Sequence, residues 1–108
     1  MEIIGINSLN NLKEKDYLLV ITVNLIGDKI PQIPYTISNL PNLTRLELLY
    51  NKSRKIPGVI SNLINLTHLN LSNNILQKIP DSIDNLIKLT YLDLSTNKLQ
   101  KILLNIDT

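Results

Sequence analysis

An unbroken 23-residue repeat constrains this chain more than any other feature. The dipeptide Ile-Pro begins at Ile33, Ile56 and Ile79, and the differences 56 minus 33 and 79 minus 56 are both 23. The same period aligns an isoleucine column and four leucine columns: Ile37, Ile60 and Ile83; Leu40, Leu63 and Leu86; Leu43, Leu66 and Leu89; Leu46, Leu69 and Leu92; Leu48, Leu71 and Leu94. A unit this short cannot bury its apolar face alone, so the repeat predicts a stack of coils that share one core.

The composition supports the same interpretation. The chain is 44% hydrophobic, but it has no Phe, Trp or Cys, only one Met, and its apolar residues are nearly all Leu and Ile. A small globular core usually needs aromatic side chains or disulfides to reach adequate stability. A core made of one shape of side chain therefore favours a repeated structural unit.

Two segments identify the repeat type. Residues 66–76 read LTHLNLSNNIL and residues 89–99 read LTYLDLSTNKL, and both resemble the leucine-rich repeat L-x-x-L-x-L-x-x-N-x-L. The spacing of Ile-Pro and the leucines is similar to the 23-residue intracellular class of Ras-pathway scaffolds and Scribble-type proteins, and the similarity covers residues 20–106. The resemblance implies an α/β fold: a short right-handed solenoid with a parallel sheet on its concave face and short helices or 3-10 turns on its convex face.

The alternation within one coil explains the motif. Leu69 and Leu71 are two positions apart and therefore point to the same side of a short strand, whereas His68 and Asn70 point to the other side. Asn74 follows the strand, and its amide carries both donors and an acceptor with which to satisfy backbone groups of the loop. The corresponding residues Asn51, Asn74 and Asn97 predict a ladder of asparagines from coil to coil.

The two ends depart from the pattern. Residues 1–19 are predicted to form an amino-terminal cap with a short helix over residues 8–16, and residues 20–108 to form the repeats. The repeats comprise a degenerate first coil with Asp28 in the ladder position, three full coils and a partial last coil. Because Leu99, Ile102 and Ile106 belong to a core whose next coil is missing from the pattern, we expect self-association through this carboxyl edge.

The side chains that alternate with the buried leucines form columns on the predicted concave face, where members of the family usually bind. Arginine and tyrosine are favoured at binding hot spots, although an outward strand face must also be polar simply to stay soluble. Alanine at Arg45, His68 and Tyr91 is expected to abolish binding and to change stability little. The candidate protein-binding residues are Arg45, Glu47, Tyr50, His68, Asn70, Tyr91 and Asp93.

Catalytic, metal and cofactor sites are not predicted. His68 is the single histidine and is interpreted as a solvated surface residue, since a metal site needs several converging ligands. Glu47 and Asp93 are predicted to lie about 9 to 10 Å apart across two strand spacings, a separation that suits carboxylate pairs in glycoside hydrolysis. No pocket is predicted around them to raise one pKa, so the chain is not expected to be an enzyme.

Charge and hydropathy limit the partners. A net charge of +2 is too small to predict nucleic-acid binding, and the longest apolar stretch is far short of the roughly 20 residues of a membrane span. The absence of cysteine and of a secretory leader favours a cytoplasmic location. Two lysine columns are predicted to line one flank: Lys55, Lys78 and Lys101, and Lys29, Lys52 and Lys98. We interpret them as a solvated face, with contact to an acidic protein or an anionic membrane surface as the alternative.

We therefore predict a protein-interaction module that presents its concave face to a protein partner. Four strands with about three outward residues each provide roughly a dozen contacts, against about 20 to 30 residues per side in a standard interface, so binding by this chain alone should be weak. Two alternatives remain open: a truncated or remnant repeat protein without its own ligand, and the targeting arm of a longer regulator.

Overall fold

The computed structural model describes residues 1–99 and has an α/β leucine-rich repeat architecture, as predicted. Five short strands lie side by side in chain order and are all parallel. They are β1 (Glu2–Ile4), β2 (Thr22–Asn24), β3 (Arg45–Glu47), β4 (His68–Asn70) and β5 (Tyr91–Asp93). The sheet forms the concave face of the solenoid.

The convex side consists of 3-10 turns, one per coil, at Tyr35–Asn39, Gly58–Asn62 and Asp81–Asn85. Each turn follows a proline of the Ile-Pro pair. The carbonyl of Pro34 accepts a hydrogen bond from the N–H of Ile37 at 3.2 Å, and Pro57 and Pro80 repeat this contact with Ile60 and Ile83 at 3.1 Å. Proline suits this position because it has no N–H that would need a partner.

The leucine columns fill the space between the sheet and the turns. In the two central coils, Leu43, Leu46, Leu66, Leu69 and Leu71 are all fully buried, and burying one such side chain contributes about 1.5–3 kcal/mol. Leu92 of β5 belongs to the same column as Leu46 but is 40% exposed. Its exposure follows from the position of β5 as the outermost of the described strands.

The amino-terminal segment differs from the prediction of four strands and one helix. It contributes a fifth strand, β1, whose Ile3 pairs with Val23 at an offset shorter than the repeat period. A short helix α1 (Ile6–Asn10) and a 3-10 turn (Glu14–Leu19) follow. The predicted short helix is present, but its bounds are wrong: α1 ends at Asn10 and a 3-10 turn begins at Glu14, so the structure interrupts the predicted range 8–16. Asn11, a poor helix former, stands where α1 ends.

Leu9 of α1 is fully buried, so the segment covers the first coil. The boundary between residues 19 and 20 stays a prediction. The expected partial last coil and its Ile102 and Ile106 lie outside the described residues. Within residues 1–99, no helix is long and apolar enough to cross a membrane.

Candidate functional site

The asparagine ladder ties neighbouring coils together through buried backbone groups. The Asn74 amide nitrogen donates to the carbonyls of Leu48 at 3.0 Å, Leu71 at 3.0 Å and Ser72 at 3.2 Å, while its oxygen accepts the N–H of Ser53 at 3.1 Å. Asn51 and Asn97 make the corresponding contacts one coil before and one coil after. Each asparagine thus bonds to its own coil and to the preceding one.

Asp28 occupies the first position of this ladder, where its carboxylate can accept a hydrogen bond but cannot donate one. Its carboxylate accepts the N–H of Ile6 at 2.9 Å. Two of the three carbonyls that a ladder amide would serve here already have donors: Gly5 accepts the N–H of Leu9 in α1 at 3.2 Å, and Leu25 accepts the amide of Asn51 at 2.8 Å. Asp28, the residue that departs from the repeat in the first coil, therefore provides the acceptor that the backbone needs where β1 passes into α1.

Each coil has one residue in the left-handed region immediately before the ladder residue. Gly27, Tyr50, Asn73 and Thr96 have φ angles of 70°, 59°, 58° and 53°. This conformation lets the N–H groups of Gly27 and Tyr50 reach the carbonyls of Leu49 and Ser72 in the next coil at 3.1 Å. Coil stacking therefore places Tyr50 in a conformation that tyrosine rarely adopts, with its side chain 59% exposed at the rim of the sheet.

The register of the sheet brings the predicted site residues into two columns. Arg45, His68 and Tyr91 lie side by side on β3, β4 and β5, and Glu47, Asn70 and Asp93 form the next column. β1 adds Glu2 and Ile4 to the same face, and Ile4 is 65% exposed. Sequence reasoning missed these two residues because β1 departs from the 23-residue period.

Most of the second column is used to shape the turn after each strand. The side-chain oxygens of Asn24, Asn70 and Asp93 each accept the N–H two positions further on, at 3.1, 3.0 and 3.0 Å. The Ser95 hydroxyl also donates to Asp93 at 2.6 Å. These two hydrogen bonds from Ser95 stabilise the carboxylate and lower the pKa of Asp93 below its ordinary value of 3.8.

Glu47 breaks this column. Its longer side chain turns toward the first column, where one carboxylate oxygen accepts a hydrogen bond from Arg45 Nε at 3.0 Å and lies 3.0 Å from Arg45 Nη2. The same oxygen lies 2.9 Å from His68 Nε2. Glu47 as a whole is only 8% exposed, so this predicted contact residue is buried beneath its neighbours rather than presented to solvent.

His68 is not the solvated surface residue that the sequence suggested. Its side chain is 19% exposed, and its ring stacks on Tyr91 with centroids 4.3 Å apart and planes 4° apart. The buried Nε2 lies close to Glu47 but without the alignment of a hydrogen bond, and it has no other partner among residues 1–99. The cross-strand neighbour Tyr91 covers one face of the histidine ring, and no periodicity along the sequence could predict that.

Tyr91 presents its outer ring face and hydroxyl to solvent. The residue is 43% exposed, and its hydroxyl lies 3.4 Å from Asp93 Oδ2. Partial desolvation, together with the nearby Asp93 carboxylate, raises the pKa of Tyr91 above 10.0. The hydroxyl is therefore protonated, and able to donate a hydrogen bond, throughout the neutral range.

The comparisons with known proteins agree with this geometry. Residues 56–99 match the family model of the leucine rich repeat. This chain is built of leucine-rich repeats. The comparison with curated proteins gives no match.

Several solved structures share the fold of these leucine-rich repeats. A leucine-rich repeat protein of Leptospira interrogans is 33% identical with a TM-score of 0.74, over 84% of this chain and 24% of that chain. An internalin from Listeria monocytogenes is 23% identical with a TM-score of 0.73, over 94% of this chain and 27% of that one. The ectodomain of a plant membrane receptor kinase from Arabidopsis thaliana is 24% identical with a TM-score of 0.63, over 89% of this chain and 14% of that one.

This leucine-rich repeat chain thus spans about a quarter of the length of the Leptospira and Listeria structures. Neither they nor the family model assign the intracellular Ras-group class. Leucine-rich repeats are in general protein-interaction modules. Among residues 1–99, no three His, Cys, Asp or Glu side chains converge to hold a metal ion.

Proposed function

We propose that these leucine-rich repeats bind a protein partner through the concave face, with Arg45, Tyr50 and Tyr91 as the principal contacts. The burial of Glu47 beneath Arg45 and His68 is the observation that carries the proposal. A face that needs only to stay soluble gains nothing from a buried carboxylate, because removing a charge from water costs stability unless its partners compensate. The cluster instead orients groups that a partner could contact.

Arg45 is the first of these groups. Its side chain is 54% exposed, while Nε and Nη2 are held by Glu47. The remaining donors of the planar guanidinium stay free for a carboxylate or a carbonyl of a partner. Because the side chain is already fixed, it loses less conformational entropy when it binds.

The two tyrosines are the other groups. Tyr91 is held in place by its stack on His68, and Tyr50 is held at the rim by the left-handed backbone. Exposed aromatic residues with restricted freedom supply large contact areas at low entropic cost. A tyrosine that occupies a conformation better suited to glycine or asparagine supports a role outside stability.

A selection experiment tests the proposal. Random peptides displayed on phage are selected on the immobilised chain, and the recovered peptides are measured against the double variant Tyr50→Asn with Tyr91→Ser. Both substitutions keep the Glu47 cluster, and asparagine accepts the left-handed backbone. We expect binding of the selected peptides to fall by about tenfold or more, as for the loss of two hot-spot side chains.

The matched control is the double variant Lys55→Gln with Lys78→Gln, which lies off the concave face. Peptides that lose affinity for the tyrosine variant should bind this variant as they bind the unchanged chain. If all selected peptides instead require the two lysines and tolerate loss of the two tyrosines, the concave face is not the binding surface.

The proposal also includes an intracellular location and a role without catalysis. An intracellular location is supported by the absence of cysteine from the sequence. A role without catalysis is supported by the engagement of the two candidate carboxylates, Glu47 and Asp93, in contacts within the fold.

A further inference from the structure

The flank between the strands and the 3-10 turns carries mainly positive charge. We call this surface the basic flank and define it as residues 27–34, 50–57, 73–80 and 96–99. It contains one acid, Asp28, and six cations: Lys29, Lys52, Arg54, Lys55, Lys78 and Lys98. The net charge of the whole chain is only +2, so charge is segregated onto this side.

The cations of the basic flank are exposed, and no acid among residues 1–99 pairs with them. All six side chains belong to exposed residues. Within the same range, every ion pair involves Glu47 on the concave face, and the carboxylate of Asp28 is engaged by the N–H of Ile6. The described part of the chain therefore leaves the charge of this surface without a neutralising partner.

Coil stacking brings these like charges close together. The N–H of Lys52 donates to the carbonyl of Ile30 at 2.9 Å, and the N–H of Gln77 donates to the carbonyl of Arg54 at 3.4 Å. Neighbouring coils are thus in direct backbone contact along the flank. Lys29 and Lys52, like Lys55 and Lys78, occupy equivalent positions one coil apart, so an anionic partner would relieve repulsion between them.

An apolar groove lies within the basic flank. It has a volume of about 410 Å³, its apolar lining comes from Pro31, Ile33, Pro57 and Tyr35, and Gln32, Arg54 and Lys55 complete the lining. Tyr35 is 66% exposed. A groove of this volume is large enough for one or more side chains, and its two cations, which are adjacent in the chain, would meet a carboxylate beside an apolar residue.

We propose that the basic flank binds an acidic peptide segment of another protein, with one apolar side chain of that segment seated in the groove. The apolar lining favours a peptide over a nucleic acid, since a phosphate backbone would engage the cations and leave the groove unused. This surface is separate from the concave face, so the inference does not rest on the proposed function.

Fluorescence anisotropy with defined probes tests the proposal. The first probe is a short labelled peptide rich in glutamate with one central leucine, and the second replaces that leucine with glycine. Single-stranded and duplex DNA of matched charge complete the set. At physiological salt, we expect the leucine peptide to bind most tightly and the glycine peptide to bind several-fold more weakly.

Two variants with equal changes in charge locate the surface. Arg54→Gln, Lys55→Gln and Lys78→Gln together should weaken peptide binding by about tenfold. Lys13→Gln, Lys15→Gln and Lys88→Gln remove the same charge from outside the flank and should leave binding nearly unchanged. Tyr35→Ser should weaken the leucine peptide and leave the glycine peptide unaffected, whereas Tyr50→Asn with Tyr91→Ser should affect neither.

Four outcomes would overturn the inference: no binding of the leucine peptide, equal losses in the two triple variants, equal affinity for the two peptides, or tighter binding of DNA than of peptide. Thermal unfolding by circular dichroism checks that each variant is folded. The substituted side chains of both triple sets belong to exposed residues, so loss of the fold is not expected.

Discussion

At the scale of single residues, coil stacking imposes a left-handed backbone on whichever amino acid precedes the ladder position. Gly27 adopts it freely and Asn73 tolerates it, but Thr96, at a φ of 53°, is β-branched and poorly suited to it. The conformation recurs in four different amino acids, so it comes from the geometry of the coil rather than from the preference of each residue. At Gly27, Tyr50 and Asn73 the N–H also donates to the next coil. Tyr50 and Thr96, which are poorly suited to this conformation, are therefore in a strained backbone geometry.

We predict that Thr96→Asn stabilises the chain by about 1 kcal/mol, because the substitution relieves a left-handed penalty of that order. The reverse change in the preceding coil, Asn73→Thr, should destabilise by a similar amount. Urea unfolding midpoints measure both. Shifts of the same sign in the two variants would contradict the interpretation, since the two positions are equivalent.

At the scale of elements, positions of the asparagine ladder differ in the hydrogen-bonding groups that they require. Asn74 needs its amide donors because the carbonyls of Leu48, Leu71 and Ser72 point at it. Asp28 needs only an acceptor, because α1 engages the equivalent carbonyl at Gly5. The requirement is set by what lies on the neighbouring coil.

We predict that Asn74→Asp lowers the free energy of unfolding by about 1–3 kcal/mol, since a carboxylate cannot donate to buried carbonyls. The opposite exchange, Asp28→Asn, keeps the acceptor for Ile6 and should change the free energy of unfolding by less than about 1 kcal/mol, the scale of a charge near a helix amino terminus. Denaturant unfolding at neutral pH compares them. Equal losses would mean that the ladder position, and not its donors, governs stability.

The contacts between β3 and β4 alter the expectation for alanine at Arg45, His68 and Tyr91. Arg45 donates a hydrogen bond to the buried carboxylate of Glu47, and His68 Nε2 lies 2.9 Å from it, so joint removal of both side chains would leave that charge without its donor and without its neighbour. Loss of binding in such a variant would then be mixed with loss of stability. The tyrosine pair gives a cleaner test of function for this reason.

A double-mutant cycle measures the coupling within this cluster. We predict that Arg45→Ala costs about 1–2 kcal/mol, between the values for exposed ion pairs and for hydrogen bonds to charged groups, because Arg45 is itself half-exposed. In a Glu47→Gln background, the same change should cost less than about 0.5 kcal/mol, as for an ordinary surface substitution. Additive losses from the two single changes would show that Glu47 and Arg45 are not coupled.

At the scale of the whole molecule, the solenoid has two surfaces of different character. The concave face presents an ordered cluster of mixed charge built around Glu47, and the basic flank presents exposed cations beside an apolar groove. Each is built from equivalent positions of successive coils. A repeat fold can therefore carry independent binding surfaces along its length, and the two sets of variants above separate them.

The repeat period by itself determined the stacking, the leucine core and the phase of the asparagines, because each follows from positions that recur once in every coil. The resemblance of the motif to the leucine-rich repeat implied the parallel sheet. Only the tertiary structure decided what departs from that recurrence. Strand β1 pairs with β2 at an offset shorter than the period, Glu47 turns sideways into a buried cluster, and Tyr50 adopts a left-handed backbone. The physical reason is the same in each case: these features depend on contacts with a neighbouring coil, and such contacts are set by side-chain direction in space and not by spacing along the chain.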